Sequence, residues 1–133
     1  MVKGKKVFIV LISIVLLIVL MYVVLVVDTN GLIRDVKDLM LWKVPKENTA
    51  GMPIDRYNSN RSSYGYVLGE AKISIFRYFV LHDFKDGYIW LVYTYEAYDL
   101  NGELITGSNL IPTKWKIHKK NGKWEIVEIF EKP

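Results

Sequence analysis

Residues 7–27 read VFIVLISIVLLIVLMYVVLVV, and Lys3, Lys5 and Lys6 precede them. These twenty-one residues contain no charge, no proline and no glycine, and Ser13 and Tyr22 carry the only polar side chains. As a helix the run is roughly 31 Å long, enough to cross a hydrocarbon core of about 30 Å. A secretory signal would need a shorter apolar core and a small-x-small cleavage site. Val26, Val27, Asp28, Thr29 and Asn30 offer no such site, and a chain without cysteine cannot be a lipid-modified lipoprotein. The run therefore reads as an uncleaved signal anchor, with Val7–Val27 in the lipid bilayer. A short basic N-terminal segment stays on the cytoplasmic side. The expected layout is a cytoplasmic tip (1–6), a single-pass transmembrane helix (7–27) and an extracytoplasmic domain (28–133) in a cell membrane. The span has no Gly-x-x-x-Gly pattern to favour dimerisation, and the sequence leaves the oligomeric state open.

This topology changes the meaning of the net charge of +4. Three of the 18 basic residues sit in the tip, which leaves 15 basic against 14 acidic side chains outside. The basic excess is mostly a topology signal, so no nucleic-acid partner is expected. About 105 outer residues suffice for one compact domain. A cysteine-free domain outside the cytoplasm fits a bacterial envelope better than a disulfide-dependent secreted module.

Asp28-Thr29-Asn30-Gly31 is the first break after the span. Asn30 is placed to cap a helix over Gly31–Trp42, in which Leu32, Val36, Leu39 and Met40 form one apolar stripe. Arg34 and Asp38 are spaced for a surface ion pair. The pattern then dissolves: Pro45, Gly51, Pro53 and a polar cluster from Asn58 to Ser63 make 43–63 an irregular loop, lid or spacer. Asn60-Arg61-Ser62 matches a glycosylation sequon, a pattern common by chance.

Three turn signals organise the rest: Asp86-Gly87, Asn101-Gly102 and Asn121-Gly122, each suited to a type I′ hairpin. Between them lie strand candidates at 71–84, 88–99, 103–106 with 114–119, and 123–130. Gly107 and Pro112 imply a bulge or excursion in the third. Strict alternation puts Trp124, Ile126, Glu128 and Phe130 on one face of the last strand. In the second strand it separates Ile89, Leu91, Tyr93, Tyr95 and Ala97 from Tyr88, Trp90, Val92, Thr94, Glu96 and Tyr98. Neither face is plainly polar, so the sheet is either covered on both sides or lined with aromatics on one. The fold class expected is α+β: an N-terminal transmembrane helix, one amphipathic helix and a curved antiparallel meander of about four strands.

The segment from Trp115 to Ile126, WKIHKKNGKWEI, pairs a penultimate strand, a tight Asn-Gly turn and a final strand opening with tryptophan. In this it resembles the end of nuclear transport factor two-like domains, cystatin-like α+β rolls in which a bent sheet wraps around helices. The resemblance covers about 60 residues from Ala71 onward. Those domains usually have two or three helices before the sheet, whereas this chain shows one. The resemblance implies a roll but no activity, since the fold hosts enzymes, binding modules and secretion-system parts alike.

Thiol chemistry is excluded, and His82 and His118 are the only histidines, with no second ligand at metal spacing. No catalytic set, metal site or cofactor is expected. His82, beside the Asp86-Gly87 turn, reads as a solvated strand end; a proton-transfer pair with Glu96 or Asp99 is the minority enzymatic reading. Lys114, Lys116, Lys119, Lys120 and Lys123 gather around the last hairpin with Trp115 and Trp124. As a surface they would dock on anionic headgroups, an anionic polymer or a partner, but alternating lysines also protect a strand edge. The two tryptophans are expected to pack as a cross-strand pair. Trp90, Tyr93 and Tyr95 are candidates for an aromatic ligand wall, against a plain packing role. The leading functional expectation is a non-enzymatic, membrane-anchored interaction module. It would bind a protein partner in the envelope, as a secretion or conjugation-type assembly part or an immunity or inhibitor protein. The alternative is a small-ligand binding or sensing domain with an aromatic-lined pocket.

Overall fold

The computed structural model describes residues 2–58 and 69–131. Helix α1 runs Val2–Asp28 and α2 runs Asn30–Met40. Two short 3-10 turns follow, at Lys46–Asn48 and Pro53–Tyr57. Four strands complete the chain: β1 Glu70–His82, β2 Asp86–Tyr98, β3 Leu104–Lys120 and β4 Lys123–Glu131. They form one open antiparallel sheet in the order β1-β2-β3-β4, a meander, and the fold is α+β.

The apolar run forms a single helix with none of its residues buried in the protein. Its end is a bend at one residue, Thr29, rather than a four-residue break. The Thr29 N–H and hydroxyl both turn back to the Val26 carbonyl, at 3.0 and 2.7 Å, while the Thr29 carbonyl accepts the first amides of α2. Asn30 therefore does not cap α2; it is the first helical residue. The expected stripe is buried, with Leu32, Val36, Leu39 and Met40 joined by Ile33. Each such side chain contributes roughly 1.5–3 kcal/mol on burial. Asp38 pairs with Lys43 at 3.9 Å, not with Arg34. The helix ends at Met40 because Trp42 turns left-handed (φ 63°), and the Lys43 and Trp42 amides close back on Asp38 and Leu39. Glycine usually holds that position. Here the Trp42 indole N–H donates to the Tyr95 hydroxyl at 3.2 Å, which ties the strained residue to the sheet.

The 43–58 part of the expected spacer is folded. Lys46 and Thr49 side chains bind Asp55, Asn58 bonds to Thr49, and Tyr57 is buried against Trp115 and Tyr93. Prolines at the starts of the two turns preset φ, and the polar side chains satisfy each other and the backbone. The remainder of the polar cluster, with the sequon, lies outside the described residues.

Only one of the three turn signals makes a type I′ hairpin: Asn121 and Gly122 both have positive φ, and Lys120 pairs with Lys123. At Asn101-Gly102 only Gly102 is left-handed. Asp86-Gly87 is already strand, with Gly87 opposite His82, and the turn sits at Asp83–Lys85. The Asp83 carboxylate accepts the Lys85 and Asp86 amides and builds that turn instead. Gly87 is needed for closeness, since a Cβ there would run into His82 and the Leu81 carbonyl.

β3 passes through Gly107 and Pro112 without leaving the sheet, but its register with β2 shifts twice on the way. Pro112 lies opposite Val92 of β2, one residue beyond the last β3–β4 pair among the described residues. Further bulges fall at Tyr78 in β1 and Val127 in β4. The Val127 bulge reverses the alternation expected for the last strand. Trp124 and Ile126 face the core, and beyond the bulge Ile129 and Glu131 do so, while Phe130 is turned out. Bulges bend and twist a sheet, and this one wraps α2 and Tyr57 on its inner face.

Candidate functional site

The end of the apolar helix and the sheet are joined by polar side chains of β1, β3 and β4. Arg77 shares the parity of Ala71, Ile73 and Ile75 and so points inward beneath the bend. Its guanidinium donates to the Val26 carbonyl at 2.9 Å, to the Thr29 hydroxyl at 2.7 Å and to the Asn30 amide oxygen at 2.8 Å. The carbonyls of a last helical turn lack their usual partners within the helix, and here the sheet adds a donor to the Val26 carbonyl beside those from Thr29. His82 takes the next carbonyl, that of Leu25, with Nε2 2.8 Å away. Its Nδ1 accepts the Phe84 N–H at 3.0 Å. A carbonyl partner on one nitrogen and an amide donor on the other define the neutral ring protonated on Nε2.

Asp28 completes the junction. Its carboxylate accepts the Trp124 indole N–H at 2.8 Å and the Lys119 ammonium at 3.1 Å. Partial burial pushes this carboxyl up, but the Trp124 and Lys119 bonds and the Lys119 charge outweigh it and hold the pKa below the usual aspartate value. A cleft of about 230 Å³ opens beside it, lined by Asp28, Gly31, Arg34, Asp35 and Lys123 among others.

A second polar group is buried under the inner face. Glu131, its side chain 4% exposed, pairs with Arg56 and accepts the Thr113 hydroxyl at 2.8 Å. Tyr93 also bonds to Glu131; burial first, and that carboxylate second, push its phenol up. Burial does the same to Tyr57, whose oxygen accepts the Trp115 indole N–H at 2.9 Å. Among the described residues no buried side-chain polar atom is left without a partner, so this cluster fastens Tyr57 and β4 to the sheet.

The sheet separates the three candidate wall residues. Tyr93 and Tyr95 are buried on the inner face, while Trp90 lies on the outer face against Phe79 and Tyr88. None of them lines the clefts found at the helix bend, between α2 and β4 (about 480 Å³) or at the β1–β2 end (about 550 Å³). The lysine–tryptophan group also divides. Trp115 is fully buried against Tyr57, and Trp124 is buried against His82 with ring centroids 4.6 Å apart. The tryptophans are not a cross-strand pair, since Trp115 lies opposite Ile129 and Trp124 opposite Lys119. Lys119 is held by Asp28, whereas Lys116 and Lys120 are exposed. His82 is buried rather than solvated, and the sheet puts it far from Glu96 and Asp99. It stands opposite Gly87, nine residues or about 30 Å of strand from Glu96. No cluster of metal-ligating side chains occurs among the described residues.

Periodicity and turn signals do not reveal this junction. One signal existed: Arg77 occupies an inward position in an apolar alternation, where a charge needs a partner. No protein-family model, curated protein or solved structure matches this chain.

Proposed function

We propose that this chain is a single-pass membrane protein that holds a non-enzymatic α+β interaction domain rigidly against the outer face of a bacterial cell membrane. The N-terminus is cytoplasmic and residues 28–133 are extracytoplasmic. The observation that carries the reading is the bonding of Arg77, His82 and Val80 to the helix itself. The Val80 N–H reaches the Tyr22 hydroxyl, and the two side chains take the Leu25 and Val26 carbonyls. Removal of the helix as a signal peptide would take the side-chain partner of the Val80 N–H and the carbonyl partner of His82, and would leave Arg77 with Thr29 and Asn30 alone. The exposed apolar surface of the helix needs a lipid solvent in any case. The curved sheet around α2 is compatible with a roll of the nuclear transport factor two-like kind.

The partner in this reading is another envelope protein. Support comes from the β2–β3 end of the sheet, where Leu100, Leu104 and Leu110 are 60–73% exposed. Photo-crosslinkers at Leu104 and Leu110 in intact cells should capture one dominant protein. Protease added outside, to spheroplasts if an outer membrane is present, should digest the domain and leave the span. Only uncrosslinked monomer under all conditions would remove the partner reading. A mature N-terminus near Asp28 would remove the anchor.

A further inference from the structure

The height at which the sheet meets α1 points to a second contact with the membrane. The Tyr22 ring stacks on Phe79 with centroids 6.1 Å apart, and its hydroxyl accepts the Val80 N–H at 3.2 Å. His82 and Arg77 reach Leu25 and Val26. All four contacts fall within Tyr22–Val26, about 6 Å of helix axis. Tyr22 itself lies about 22 Å beyond Val7 along that axis. A span that starts at Val7 has not yet left a hydrocarbon core of about 30 Å where it touches Phe79.

The side chains around that contact suit a bilayer interface. Tyr78, Phe79, Leu81 and Phe84 are 52, 44, 53 and 47% exposed. Phe84 forms the tip of the β1–β2 turn at φ 66°, a conformation unfavourable for a bulky residue. The turn is held by the Asp83 carboxylate and by His82 Nδ1, and the Phe84 ring packs edge-on against His82, centroids 4.9 Å apart, while staying about half exposed. Lys85 follows it. Aromatic rings with flanking lysines are the composition that membrane interfaces select.

We propose that the β1–β2 end of the sheet is seated in the outer interface of the same bilayer that α1 crosses, with Phe79, Leu81 and Phe84 among the lipids. This rests on the anchor reading. The opposite end of the sheet is tied to the far end of α2, where Trp42 is bonded to Tyr95.

The chain has no cysteine, so single substitutions accept an environment-sensitive fluorophore cleanly. Full-length Phe84→Cys, Leu81→Cys, Leu104→Cys and Val15→Cys would be labelled in vesicles of phosphatidylcholine and phosphatidylglycerol carrying spin-labelled lipid. Labels at 84 and 81 should be blue-shifted and quenched several-fold more than the label at 104, and the label at 15 should be quenched most. Quenching at 15 with labels 84 and 81 as water-exposed as 104 overturns the seating while leaving the anchor intact. Loss of quenching at 15 overturns the anchor itself. A blue shift at 84 without lipid quenching would mean a protein contact there and would also overturn the proposal.

Discussion

The Trp124 indole N–H donates to the Asp28 carboxylate at 2.8 Å, joining the start of the last strand to the final residue of the apolar helix across 96 positions of sequence. Together with Lys119 on the same oxygen and Arg77 on the far side of the bend, this bond makes helix and sheet one body. The apolar helix and the sheet domain should therefore not move as beads on a flexible linker.

Trp124→Phe keeps the ring against His82 but removes the donor. The expected cost is about 1–2 kcal/mol, the net value of a hydrogen bond to a charged group at a partly buried site. Urea titration of the full chain in detergent, with the midpoint as readout, measures it; an unchanged midpoint would show that the bond is energetically idle.

The same carboxylate predicts a pH dependence. Its folded pKa lies below the unfolded value near 3.9. A depressed folded pKa contributes stability that is present above the unfolded value and lost as pH falls through the folded one. Other carboxylates titrate too, Asp55 and Asp83 among them, both also depressed. The informative quantity is thus the difference between wild type and Asp28→Asn. It should be steady from pH 7 to about 5 and shrink below about 4.

Arg77→Ala should cost about 1–3 kcal/mol, because it removes the donor to the Thr29 hydroxyl and the Asn30 amide oxygen and one of the donors to the Val26 carbonyl. Arg77→Lys should recover only part of this, since an ammonium cannot reproduce the planar fork. Increased proteolysis at the bend in Arg77→Ala, reduced in Arg77→Lys, would locate the damage at the junction.

Gly87→Ala and Gly102→Ala separate two uses of glycine. At Gly87 the added methyl collides with backbone of the neighbouring strand, and a cost of about 1–3 kcal/mol or more follows from overpacking. At Gly102 there is open space but φ is +80°, so the cost is backbone strain of about 1–2 kcal/mol. Adding a larger side chain at each tells them apart: Leu should be far worse than Ala at 87 and little worse at 102.

Much of the fold was legible because it depends on neighbours in sequence. The 3.6-residue stripe from Leu32 to Met40 needs only helical geometry to become a buried face. Asn121-Gly122 needs only two left-handed residues between strands. Asp86-Gly87 misled because Asp83, three residues earlier, offers its carboxylate to the same amides and wins the turn. Strict alternation misled in β4 because one bulge residue, Val127, exchanges the faces of everything after it, and the separation of β3 into two pieces dissolved because its irregularity is absorbed as register shifts.

By itself the sequence determined the class: an apolar stretch of membrane length beside a β-rich domain of balanced charge, since hydropathy and period are properties of the chain. Tertiary structure alone decided which side chains meet. Trp90 parts from Tyr93 and Tyr95 by strand parity, Trp115 goes to Tyr57 and Trp124 to Asp28, and the carbonyls at the end of the apolar helix find Arg77 and His82. Those pairings depend on strand register and on where a sheet crosses a helix, which are set by the sum of many weak contacts and are encoded in no single stretch of residues.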